Sequence, residues 1–284
     1  MHALPFVVAL AIAAILAPAV LRMLEEGGHV RPNYRDRLLA HPFGVLVLAA
    51  ALFALIPLML GQQLGSGDIF HVQTLPVALY AVGVLALGLI DDTLAPVAPS
   101  DGDGARAERG WRGHGAALLE GRLSTGVLKA VGSLGLALLS MSYMGLSNQR
   151  WLLAVAVLVL ATNVFNLLDL RPGRSTKAFV LLGAGLTVGA GELRPLWALG
   201  LFAAPALVAG GYDLRERAML GDTGANLLGA LAGLWLVMTL SGPGQLVALV
   251  LLAAITVYGE LRSISALVER TPGLRELDSW GRPS

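Results

Sequence analysis

The chain has 284 residues, of which 56% are hydrophobic and 14% charged, with a mean hydropathy of +0.71. No soluble domain of that length needs so much apolar surface, so the composition predicts an all-α, polytopic membrane protein, a single integral membrane unit over 1–284. A formal net charge of +1 gives no footing for nucleic acid, and the lack of cysteine excludes disulfides and thiolate metal sites.

Crossing a bilayer takes about 20 apolar residues. On that ruler nine segments read as spanning helices: 3–23, 42–60, 74–90, 127–146, 150–168, 175–190, 195–211, 223–241 and 245–262. The first lacks a small-residue cleavage site and reads as a span rather than a removed signal. Loops on one side are small, such as Gly61–Gln73 and Ser241–Gly244. The other side holds 24–41, the long loop 91–126, 169–174, 212–222 and a tail over 263–284. Of the 20 lysines and arginines, all but Arg150 and Arg194 fall on that second side. The positive-inside rule makes it cytoplasmic, with the N-terminus outside and the C-terminus inside. Arginine far outnumbers lysine, a GC-rich coding bias that points to a bacterial plasma (inner) membrane. Within 91–126, APVAPSDGDGARAERG reads as mobile, and GWRGHGAALLEGRLSTG as a short amphipathic helix on the membrane.

Three acidic patches close or open these helices on the cytoplasmic side: Asp91 and Asp92; Asn163, Asn166 and Asp169; and Asp222 with Asn226. Charges near apolar helices are costly and mark function. Each patch also has an ordinary reading. Asp91 and Asp92 could simply end a helix in water, although two acids at a helix C-terminus oppose its dipole. Asn163 and Asn166, spaced three residues apart and followed by Asp169, share a helix side and could bond a neighbouring helix. Asp222 could be only an N-cap, but the glycines beside it also allow a phosphate to approach a helix N-terminus. Lys129, one of two lysines, reads as a point-charge phosphate binder or a snorkelling anchor. Arg171, Arg174 and Lys177 form a basic turn suited to phosphate. Shared by one face, the patches suit a divalent-metal site acting on a lipid-anchored phosphate. Asp101-Gly102-Asp103-Gly104-Ala105-Arg106 followed by Gly115 imitates half of the CDP-alcohol phosphotransferase motif, but Leu119 and Leu123 stand where its further aspartates belong.

At these residues the chain resembles the polyprenyl-phosphate N-acetylhexosamine-1-phosphate transferase family. The likeness runs from about Arg31 to Leu261. RPNYRDRLLAHPFG resembles the family's first cytoplasmic loop, and GLIDDTLAP its paired-Asp motif. ATNVFNLLDLRPG resembles its Asn-x-x-Asn-x-x-Asp motif, and MLGDTGANLLGALAG its Met-Gly-Asp-x-Gly-Ser motif. Lys129 sits where a family lysine follows the paired-Asp loop. The resemblance implies Mg²⁺-dependent transfer of a sugar-1-phosphate from a nucleotide sugar, UDP-linked by family habit, to a polyprenyl phosphate. It implies Asp91, Asp92 and Asp222 as the catalytic set, with Asp222 and Asp92 on the metal. Lys129, Asn163, Asn166, Asp169, Arg171 and Arg174 would bind substrate, and a homodimer is among the expected assemblies. Where the family has a second Asp after its Asn motif, this chain has Pro172, and RELDSWGRP lacks the family's His cluster. The basic turn therefore predicts donor binding dominated by phosphate contacts. A non-catalytic lipid-phosphate binder or transporter on the same scaffold is the alternative, set against the joint presence of Asp91, Asp92, Asp169 and Asp222.

Overall fold

A computed structural model describes residues 1–65, 67–94 and 124–283. It is 77% helical, and seven of its helices are long and apolar enough to cross a membrane. This is the architecture of a multi-pass, all-α membrane protein. In chain order the helices are α1 (Leu4–Glu26), α2 (Val45–Leu64), α3 (Thr74–Leu94), α4 (Thr125–Ser142), α5 (Asn148–Leu168), α6 (Arg174–Ala190), α7 (Arg194–Leu214), α8 (Gly221–Thr239), α9 (Gly242–Leu261), α10 (Ile264–Arg270) and α11 (Pro272–Ser279). All nine segments expected from hydropathy are helical. The seven candidate spans are α1–α5, α7 and α9. Helix α6 has only 17 residues, and α8 begins with polar Asp222, Thr223 and Asn226. The phosphotransferase-like run and the amphipathic segment up to residue 123 lie outside the described residues.

Helix α8 is the centre of the bundle. It is buried from Thr223 to Val237 and packs against α3, α5, α6 and α7. A helix apolar on every side must be enclosed by others. Small residues allow the close approach. At Gly229, for example, an added Cβ would lie 2.6 Å from Thr162 Cα of α5. Buried polar bonds tie the surrounding helices together: Tyr80 to Thr162 at 3.0 Å, and the Ser140 hydroxyl to the Pro76 carbonyl at 2.7 Å.

Residues 24–41, expected as a plain loop, contain an antiparallel hairpin of β1 (Val30–Pro32) and β2 (Leu38–Ala40). The backbone beyond β2 is paired with the segment before α8: Met219 N–H donates to the Ala40 carbonyl, and Phe43 N–H to the Met219 carbonyl, at 2.9 and 2.8 Å. The hairpin is also pinned by Glu216, a fully buried side chain at φ +50°. Asn33 and Tyr34 donate to its carboxylate at 3.3 and 2.9 Å, and Arg35 and Arg37 lie 3.8 and 3.6 Å away. Together these fix the entry to α8, where the acidic patches meet.

Candidate functional site

Four helix ends converge at the N-terminus of α8. Asp91 and Asp92 sit in the last turn of α3, Lys129 in the first turns of α4, Asp169 just past α5, and Asp222 at the second residue of α8. The approach of α3 to α8 depends on glycine. A Cβ at Gly88 would sit 2.5 Å from the Asp222 carbonyl oxygen. Gly221, at φ +69°, takes a backbone conformation that side chains disfavour.

The paired aspartates do different things. The Lys129 ammonium donates to Asp91 Oδ2 at 2.6 Å and also to Asp222 Oδ2. Two carboxylates from different helices thus share one cation, and all three side chains keep some exposure, at 15%, 29% and 19% for Asp91, Asp222 and Lys129. Asp92 faces inward. Its Oδ1 accepts the Asp222 N–H at 3.0 Å; its Oδ2 accepts the Thr223 N–H at 2.8 Å and the Thr223 hydroxyl at 2.6 Å. His41 Nε2 lies 3.3 Å from the same carboxylate. Asp92 therefore acts as an N-cap supplied by another helix, satisfying first-turn amides that α8 leaves open. The expectation put Asp92 on a metal with Asp222; here both of its oxygens are engaged by α8. Arg31 donates to the Asp92 carbonyl at 2.5 Å, which adds the hairpin to the same joint.

A groove of about 520 Å³ opens beside Lys129 between α3, α4, α5, α8 and α9. Its walls are mainly apolar, including Val84, Leu87, Val131 and Leu160. Its polar lining comes chiefly from Lys129, Asn163, Asn166, Asn226 and Glu260. Asn163 also donates to Thr256 of α9 at 3.3 Å, so the helix-packing reading holds for that residue. Asp169 turns the other way and accepts the Ser175 hydroxyl at 2.8 Å. Burial, and then the Asp213 carboxylate nearby, pushes the Asp169 carboxyl well above the ordinary carboxylate range.

The basic turn is not part of this groove. Arg174 makes a two-pronged bond with Asp278 of α11, at 2.7 and 3.0 Å, and a third to Ser265. Lys177 donates to the carbonyls of Leu277, Asp278 and Trp280 at the end of α11. Arg171 reaches Glu269 at 3.3 Å and stacks over Tyr34, 4.5 Å from the ring centre. The expected phosphate-gripping cluster is thus occupied by the chain's own tail. Arg174 and Arg171 are placed apart from Lys129.

Sequence reasoning missed Asp213. Its carboxylate accepts the Gly173 N–H at 2.6 Å and the Leu220 N–H at 3.3 Å, joining the turn after Asp169 to the residue before α8. It missed Glu216, His41 and Asp278 as well. The signal was present for Asp213 and Glu216, two acids in a loop otherwise rich in arginine. Among the described residues no group of three or more His, Asp and Glu side chains converges as a metal cage. No protein-family model matches the chain, and no curated protein matches it.

Proposed function

We propose that this chain is a membrane sugar-1-phosphate transferase. A polyprenyl phosphate oxygen bonds to the β-phosphorus of a nucleotide sugar. The bond from that phosphorus to the bridging oxygen breaks, and the nucleoside monophosphate leaves with the electron pair. The products are lipid-diphosphate-sugar and nucleoside monophosphate. The observation that carries this reading is Lys129 held between Asp91 and Asp222 at the side of an apolar groove.

The groove suits a prenyl chain, and Lys129 suits the phosphate at the end of that chain as a compact point charge. Asn166 and Asn226 supply amides on the same wall for the donor. Asp92 positions Asp222 by holding the first turn of α8. Two carboxylates already meeting on one cation fit Mg²⁺, which takes one or two protein carboxylates and fills its remaining positions with water and substrate phosphate oxygens. Asp91 and Asp222 would hold it. Bound there, the ion neutralises charge on the transferring phosphates. Lys129, beside both carboxylates, would meet a phosphate oxygen of the lipid.

We read α6 and α8 as two further crossings, which gives nine. With the Lys and Arg bias, that reading supports a site and tail on the cytoplasmic face, in a bacterial plasma membrane. The direct test incubates purified protein with undecaprenyl phosphate, Mg²⁺ and a panel of nucleotide sugars. Release of a nucleoside monophosphate that needs the lipid and stops on chelation supports the reading. No release from any donor overturns it and leaves the lipid-phosphate binder or transporter.

A further inference from the structure

A second cavity, of about 480 Å³, lies on the other side of α9. Its walls are α6 and α9, and α10 and α11 roof it. The lining is almost wholly apolar, with Leu181, Ile255, Leu267, Leu274 and Leu277 among it. Those five side chains are between 39% and 52% exposed, so the tail presents its apolar side to a space that protein does not fill. Leu181 and Ile255 also belong to the outer surface of the bundle, so the cavity opens to the lipid side. An apolar space of this size at a bilayer does not stay empty when hydrocarbon can enter it.

Charge identifies the occupant. Arg174 and Lys177 line the cavity together with Asp278. Arg282 also contacts the Asp278 carboxylate, at 2.7 Å, and Lys177 donates to the Asp278 carbonyl, so two guanidinium groups meet one carboxylate and an ammonium lies beside it. Asp213 lies within electrostatic reach of Arg282, but its oxygens accept the Gly173 and Leu220 amides. Arg262, Arg270 and Arg275 each lie within two residues of a lining residue in the sequence, are exposed, and among the described residues form no ion pair. Nearby Glu269 is engaged by Arg171.

We propose that this cavity binds an anionic phospholipid of the surrounding bilayer, with an acyl chain between α6 and α9 under the tail and the phosphate at the arginine rim. The site is separate from the Lys129 groove and does not depend on transferase activity.

The test is native mass spectrometry of the detergent-purified protein titrated with phosphatidylglycerol or phosphatidylcholine of equal chain length. Phosphatidylglycerol is expected to bind about tenfold more tightly. Ala254→Trp, which places a ring in the groove at an exposed position, should remove that binding. Arg270→Gln with Arg275→Gln should reduce the preference towards unity while leaving the tail clamp intact. Equal binding of the two lipids, or undiminished binding to Ala254→Trp, overturns the proposal. Displacement of the phosphatidylglycerol by equimolar undecaprenyl phosphate in wild type also overturns it, because the cavity would then be a substrate site.

Discussion

Two charge clusters stand at the same end of the bundle with opposite balance. Around Lys129, two carboxylates share one ammonium. Around Asp278, Arg174, Lys177 and Arg282 surround one carboxylate and the carbonyl end of α11. The first has negative charge to spare and partial access to water; the second is positive, and Arg174 is only 7% exposed. The first is therefore suited to accept a further cation. The second is suited to hold structure together and to face an anion. Along the sequence, both look like phosphate-handling patches. What separates them is which partner the fold delivers to each.

The strongest way to break this contrast is at Asp222. Asp222→Asn should lower turnover by roughly a hundredfold or more, the several kcal/mol expected when a charge-stabilising ligand is lost. Its thermal stability should change little, since the first-turn amides are held by Asp92 rather than by Asp222, and Lys129 keeps its bond to Asp91. Full activity in that variant, in the nucleoside monophosphate assay, would remove Asp222 from the chemistry.

A second substitution tests the packing that aims Asp222. Gly88→Ala must push a methyl to 2.5 Å from the Asp222 carbonyl oxygen. Overpacking of this kind costs about 1–3 kcal/mol, visible as a lower thermal midpoint together with lost turnover. An unchanged midpoint would mean that α3 and α8 separate more easily than so close a contact implies.

Asp92 sharpens the division between its neighbours. Asp92→Ala strips first-turn amides of α8 of their acceptor, at a cost of about 1–3 kcal/mol. Asp92→Asn, which keeps an acceptor oxygen, should recover much of that stability and much of the activity. An Asn variant with wild-type stability and no activity would move Asp92 from the joint into the chemistry.

The smallest effect concerns the tail. Burial would raise the Asp278 carboxyl, but the Arg174 and Arg282 hydrogen bonds outweigh it and hold it below the ordinary value of 3.8. The clamp's contribution is therefore complete above about 3.8 and fades as pH falls through the lower folded value. Limited proteolysis with an acid-active protease should find the tail protected at pH 5 and cut faster only as the pH falls below about 3.8. Release of the tail at pH 5 would show that the carboxylate contributes little.

The seven long apolar helices were legible because an apolar run of bilayer length can be satisfied by little else than a helix in a membrane. The hairpin was not, because three-residue strands such as Val30–Pro32 carry no periodicity to read. Asp91 and Asp92 are chemically identical in the sequence, and only the helix rotation sends one to Lys129 and the other to the amides of α8. The basic turn at Arg171–Lys177 was legible as charge. Its partner Asp278 was not, because it lies 104 residues beyond Arg174 and no local pattern joins them. Asp213 and Glu216 were passed over as loop acids, since their burial comes from segments far away in the chain.

Glu216 has a consequence for the order of assembly. The ribosome delivers the arginine-rich hairpin early, and residue 216 follows only after the six described helices α2 to α7 have been made. Until then Arg35 and Arg37 lack the carboxylate they face in the finished protein. Asp92 likewise waits for the amides of Asp222 and Thr223. The early helices can enter the membrane one by one, but the site cannot be matured in instalments. It is completed only when α8 arrives between its neighbours: a chain stalled before that point can pair Asp91 with Lys129 but holds Asp92 without the amides it caps.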